Sequence, residues 1–326
     1  MPHETFWHMF THFLYDITHF DSKFFASIKY LLLRPGFLPR EYLRGRRASY
    51  LNPVKNYVFT SAIFFLLFFA FFVDKDSVKF NTEGPVSPQE RTDVINKLKA
   101  HLALDSNNQR ARAGLALFTD STKTPTKNDV AKYADDFTFI DVGGPNYNSR
   151  QEYDSIQHSL PAGQRDGWLR KLIQRKNLEL KEKYRDNLNA GTDKFVETFL
   201  HKLPYLLFVS LPLFALILQL LYIRRKQVYY VDHGIFSIYH YIFSFLLLLA
   251  VFSLAKLYAF TGWGIISLLT MLVFLSGGVY LFISMKRFYG QGYGKTTIKF
   301  LLLNILALAV MVVLFIALVL FSVFEI

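Results

Sequence analysis

Cysteine is absent from all 326 residues, which rules out disulfides and thiolate zinc sites but leaves the compartment open. The first twenty residues hold no Lys or Arg, so the basic opening of a secretory signal is missing. No lipidation motif is evident. No P-loop, GxSxG, HExxH or dinucleotide signature occurs. The stretch Gly290 to Thr297 is rich in glycine but lacks the Walker spacing and reads as a flexible basic connector. There is no internal repeat and no low-complexity tract. Acidic residues are outnumbered, 25 against 37 basic ones, giving a net charge of +12.

Apolar residues dominate instead. At 52% hydrophobic, with 34 Phe, the chain is too apolar for an ordinary soluble domain, and the excess lies in blocks. Five blocks each reach the length of a membrane span: 57–73, 204–223, 238–260, 265–285 and 300–324. Backbone groups find no water in lipid, so each block is predicted to be a helix. The expected fold is all-α and polytopic, with about five transmembrane helices. The expected parts are a cytoplasmic interfacial segment 1–52, a first span 53–73, an insert 74–203 and a four-helix region 204–326. Spans three and four meet at Thr261-Gly262-Trp263-Gly264, a tight hairpin with Trp263 and Tyr258 at an interfacial level. Lys256 is expected to snorkel from span three. Gln219 and Asn304 are expected to hydrogen-bond between helices, and Gly277-Gly278 to permit a kink or close helix contact.

The charges set an orientation. The insert carries 21 basic and 19 acidic residues, leaving 16 and 6 for the rest. The excess lies beside the apolar blocks, before span one, after span two and between spans four and five. With the N-terminus cytoplasmic, all three groups fall inside, and the insert and C-terminus fall outside. Basic residues so placed set topology and touch anionic lipid headgroups. Nucleic-acid binding needs a contiguous basic face on a folded domain, and none is found.

The insert is expected to be mostly helical. Ser87-Pro88-Gln89-Glu90 signals a helix start leading into 94–104. Residues 162–186 read as one long charged helix with Trp168, Leu169, Leu172 and Ile173 on one side. Residues 105–150 are the least readable. Near the N-terminus, Phe6, Phe10, Phe13, Ile17, Phe20, Phe24, Ile28 and Leu31 recur at steps of three and four, the stripe of an amphipathic helix ended by Pro35-Gly36.

Three groups carry candidate chemistry. His8, His12, Asp16 and His19 share the polar face of the amphipathic helix. They are either its wet side or, for His12, Asp16 and His19, weak candidates for a metal or a proton path. Arg34, Glu41, Arg44, Arg46 and Arg47 form an elbow before span one. It either anchors that span or binds an anionic headgroup, with Glu41 pairing with one arginine and Gly45 allowing a turn. Asp232, His233 and His240 open span three, as interfacial groups or as part of a cluster with the N-terminal histidines. No cofactor is expected.

Particular runs resemble a known family. They are His19-Phe20-Asp21-Ser22-Lys23, Leu33-Arg34-Pro35-Gly36, Arg40 to Arg47 and Tyr50-Leu51-Asn52-Pro53. A second block includes Arg165 to Leu169, Leu211 to Leu216 and Tyr230 to Ser237. Together these resemble DUF3667, an uncharacterised bacterial membrane family common in Bacteroidota. Many members carry an N-terminal zinc ribbon with paired CxxC motifs, which this cysteine-free chain lacks. The resemblance implies a bacterial inner-membrane protein and supplies no activity. Three readings follow: a non-enzymatic scaffold, sensor or assembly component with a protein partner on the insert; a transporter or lipid-handling permease; or a membrane enzyme using the His/Asp/Arg set on a lipid.

Overall fold

A computed structural model describes residues 21–46, 49–73, 84–104, 106, 108–134, 143, 147, 149–184 and 188–326. Twelve α-helices form among these residues, and no named strand. They are α1 (Asp21–Leu33), α2 (Phe37–Leu43), α3 (Pro53–Phe71), α4 (Pro88–Leu104), α5 (Gln109–Thr119) and α6 (Lys127–Ala134). There follow α7 (Arg150–Ser159), α8 (Trp168–Tyr184), α9 (Leu188–Leu221), α10 (Tyr230–Thr261), α11 (Gly264–Tyr289) and α12 (Tyr293–Glu325). Five of them, α3 and α9 to α12, are long and apolar enough to cross a bilayer. The outer faces of α11 and α12 expose Leu268, Leu272, Leu275, Leu301, Leu308 and Val312. Patches of that size are stable against lipid and not against water. The protein is an all-α, multi-pass membrane protein.

The chain divides into two compact units, Met1–Asp74 with Pro204–Ile316, and Lys75–Leu203 with Ala317–Ile326. In the first unit α10 packs on both α3 and α11. The core of this unit joins Phe214, Leu218 and Tyr222 of the α9 segment to Phe236, Leu281, Met285, Tyr289 and Leu303. A second seam, between α3 and α10, is aromatic. Tyr57, Phe64 and Phe65 pack on Phe245, and Phe68 and Phe72 on Phe252. Span one starts where the sequence requires. Pro53 occupies the first turn, and the Asn52 Oδ1 accepts from the backbone of Val54 at 2.9 Å and Lys55 at 3.4 Å. Its far end is held by Lys256, whose Nζ donates to the Phe71 carbonyl at 2.6 Å. The expected hairpin between α10 and α11 is present, with Gly262 at φ +69°. A methyl group at Gly277 would meet Leu247 at 2.6 Å, so that glycine serves close helix contact. Asn304 bonds within its own helix, to the Phe300 carbonyl at 2.7 Å, and not between helices as expected.

In the second unit α4 begins with the predicted cap. Ser87 Oγ accepts from the Glu90 backbone N–H, and Glu90 accepts from that of Ser87. The stretch left unread holds α5 and α6, which bury Ala111, Phe118 and Ala134 against Val94 and Leu98 of α4. Arg91 ties this group by donating to the carbonyls of Phe118 and Asp120. The single helix expected over 162–186 is corrected. A 3-10 turn spans Ala162–Gln164 and α8 starts only at Trp168. Arg165 and Asp166 are held in the link between them. Arg165 donates to the carbonyls of Leu160 and His158, and the Asp166 N–H donates to Gln157 Oε1. Of the expected apolar side only Ile173 is buried, while Trp168 is 78% exposed.

Candidate functional site

The elbow is built from α1, α2 and the start of α3. Helix α1 ends at Leu33 because Pro35-Gly36 cannot continue it. Gly36 sits at φ +73°, and a Cβ there would lie 2.8 Å from the Ser284 carbonyl oxygen of α11. The reversal therefore lays backbone on backbone. Tyr280 Oη donates to the Leu31 carbonyl at 2.7 Å, and Ser27 Oγ accepts from the Leu51 N–H at 3.2 Å. Around this turn Tyr30, Phe37 and Tyr50 pack edge to face or tilted, and the Arg34 guanidinium lies over Tyr30 and Phe37.

Glu41 is the buried charge of the elbow, 2% exposed. Its two carboxylate oxygens accept from Arg44 Nη1 at 3.0 Å and Arg46 Nη1 at 2.8 Å. The sequence predicted a pair with one arginine, and two are found. The tight return that permits this uses Gly45 at φ +84°. Burial pushes the Glu41 carboxyl upward, but the two guanidiniums outweigh it and hold it below the usual carboxylate range. Both arginine side chains keep more than half of their surface exposed. Much of each arginine side chain therefore stays accessible beside its bond to Glu41.

A second polar group lies at the start of α10. Asp232 accepts from the Tyr229 N–H at 2.8 Å, which caps the helix. His233 is buried, and its Nδ1 shares a 2.7 Å hydrogen bond with Tyr289 Oη. Tyr222 stacks on Tyr289 with centroids 3.5 Å apart, and Lys299 Nζ lies 3.6 Å from the Tyr222 ring centroid. His240, two turns on, stacks on Phe214. The structure thus places Glu41, Arg44 and Arg46 together, and His233 with Tyr289. His8, His12, Asp16, His19 and Arg47 lie outside the described residues. Among the described residues no three His, Asp or Glu side chains are placed to hold a metal.

Sequence reasoning missed Tyr222, Tyr280 and Tyr289. A signal existed for Tyr280 and Tyr289, because a Tyr inside an apolar span usually finds a partner for its hydroxyl; Tyr222 is placed by ring stacking and its hydroxyl has no partner among the described residues.

No curated protein and no solved structure matches this chain. A family match falls on the elbow: residues 21–65, from α1 through most of α3, match the family described as Protein of unknown function (DUF3667), so the resemblance seen in the motifs holds over that stretch.

Proposed function

We propose that this chain is a non-catalytic component of the bacterial inner membrane, a scaffold or sensor that acts by binding. Its N-terminus faces the cytoplasm, and the insert 74–203 and the C-terminus face outward. The elbow rests on anionic headgroups of the inner leaflet, and the insert meets a protein partner. What supports this reading is the employment of the ionisable groups. Glu41 bridges Arg44 and Arg46, leaving the trio a net positive charge, Asp232 caps α10, and His233 is held by Tyr289. Each builds the end of the bundle, and the exposed side chains of Arg44 and Arg46 suit phosphate oxygens.

The absence of native cysteine makes orientation directly testable. Lys99→Cys is expected to react with a membrane-impermeant maleimide on spheroplasts, and Arg224→Cys only after lysis. The reverse pattern overturns the orientation. Cross-linking of intact membranes is expected to join the insert, through Lys99 or Lys123, to a second protein at fixed stoichiometry. Turnover or transbilayer movement of a phospholipid by the purified full chain in liposomes overturns the non-catalytic reading.

A further inference from the structure

The second unit contains the place where two spans leave lipid. Lys202 of α9 pairs with Glu325 of α12 at 3.0 Å, and its Nζ lies 5.3 Å from the Phe321 ring centroid. From that pair into the spans, residues 204–221 of α9 and 300–324 of α12 hold no charge, so the pair marks the edge of the hydrocarbon. Helix α8 is seated at that edge. Leu180 is buried in one cluster with Val323 and Ile326, against which Tyr184 of α8 and Phe195 of α9 also pack. Lys183 Nζ donates to the Ile326 carbonyl at 2.6 Å. Helices α8 and α9 fold back on each other here, since a Cβ added at Gly191 would meet the Tyr184 ring at 2.8 Å. The residues that precede Leu180 in α8 therefore lead back toward the membrane edge and not out into solvent.

That part of α8 exposes apolar side chains on the same side. At 3.6 residues per turn, Leu169 stands about 20° from Leu180, and Leu172 about 20° from Lys183. Trp168 lies one turn before Leu172. The side that the last turns of α8 press against α12 thus carries Trp168, Leu169 and Leu172 about three turns earlier. All three are exposed, while Ile173 beside them is buried. A lone exposed Leu is ordinary in any protein. A Trp and two Leu in one sector, continuous with a contact at the edge of a bilayer, form the pattern of a helix that lies in the interface. Charge adds little. Residues 165–176 hold five basic residues and one acidic. Three of the five, Arg170, Arg175 and Lys176, already pair with Asp166, Asp154 and Glu179. The apolar side carries the case.

We infer that α8 lies on the bilayer surface, with Trp168, Leu169 and Leu172 inserted at the boundary between headgroups and acyl chains, in the leaflet where α9 and α12 emerge. The occupant of this face is lipid of the host membrane and not a second protein. This inference stands apart from the scaffold reading. It holds whichever side of the membrane the insert faces, and it leaves α4 to α6 to any partner.

The test uses the full chain, which has no cysteine of its own, in nanodiscs of phosphatidylcholine and phosphatidylglycerol with no other protein. A nitroxide is attached to Trp168→Cys, Leu169→Cys or Leu172→Cys, and for comparison to Lys99→Cys or Lys123→Cys, exposed positions elsewhere in the unit. The ratio of oxygen to nickel–EDDA collision rates rises with depth in a bilayer. It is expected to be several-fold higher at the three α8 positions than at Lys99 and Lys123. Equal ratios at all five overturn the inference. So does a rise that appears only in native membranes, since a protein then covers the face. A second readout keeps the native side chain. With Trp7→Phe and Trp263→Phe in place, Trp168 is the remaining Trp, and its emission is expected to fall when the acyl chains are brominated. Emission unchanged by bromine overturns the inference even where a cysteine variant fails to fold.

Discussion

Gly36 and Ser284 touch backbone to backbone, with only 2.8 Å between the Ser284 carbonyl oxygen and the point where a Cβ on Gly36 would stand. Gly36→Ala therefore adds a steric clash to the strain of φ +73°, and is expected to destabilise the protein by about 2 kcal/mol or more. Gly45 has φ +84° but nothing within 4 Å of its Cβ position. Gly45→Ala is expected to cost only the conformational part, about 1 kcal/mol. Thermal unfolding of the two variants in one detergent measures the difference.

Glu41 gives the elbow an acid limit. Its folded value lies below the ordinary carboxylate range. Its stabilising contribution is then complete above the ordinary range, and is lost as pH falls through the folded value. Glu41→Gln is expected to flatten the acid side of the stability profile and to lower stability at neutral pH by roughly 1–3 kcal/mol. A profile as steep in the variant as in the parent chain would assign the acid transition elsewhere.

Removing the hydroxyl of Tyr289 leaves the buried His233 Nδ1 unmet. Tyr289→Phe is expected to cost roughly 1–3 kcal/mol. With His233→Phe in the background the loss should shrink, because neither partner then seeks the other. A double-mutant cycle on thermal unfolding reads the coupling. Additive losses would show that the hydrogen bond contributes nothing.

Lys256 fastens span three to the last turn of span one through the Phe71 carbonyl. Lys256→Met keeps the apolar stem and removes the donor. Global stability is expected to change by less than about 1 kcal/mol. The effect should be local, as faster amide exchange at Phe71 to Val73 by hydrogen–deuterium mass spectrometry.

Asp166 organises the link before α8. Its carboxylate accepts from Tyr153 Oη at 2.9 Å and Gln157 Nε2 at 3.1 Å, and lies 3.3 Å from Arg170 Nε. Burial, and then the same carboxylate, pushes the Tyr153 hydroxyl well above its ordinary value. Asp166→Ala is expected to increase proteolysis between α7 and α8 several-fold, and to leave the spans intact by circular dichroism.

The spans were legible because lipid demands unbroken apolar runs and caps announce themselves. Asn52-Pro53, Pro35-Gly36 and Gly262 each mark an end where the structure puts one. The polar pairs were not legible. The partners of His233 and Leu31 lie 56 and 249 residues away in the chain, and periodicity carries no information over such distances. The start of α8 was misread because side chains of Gln157 and Arg165 hold the intervening backbone extended against a helical composition. Helices α5 and α6 were missed because each is short. Their burial depends on Gly114, where an added Cβ would meet the Tyr133 side chain at 2.6 Å, and not on a long apolar stripe.

The hydroxyl of Tyr280 reaches back to a carbonyl at Leu31, and Ser284 supplies the surface on which Gly36 lies. A ribosome makes these two halves far apart in time. The elbow emerges early and can pack on α10 once that helix is made, but it cannot complete its contacts with α11 until the chain has grown a further 249 residues from Leu31 to Tyr280. The elbow is therefore completed late, and a nascent chain halted before α11 should carry it without the Tyr280 and Ser284 latch and more open to protease.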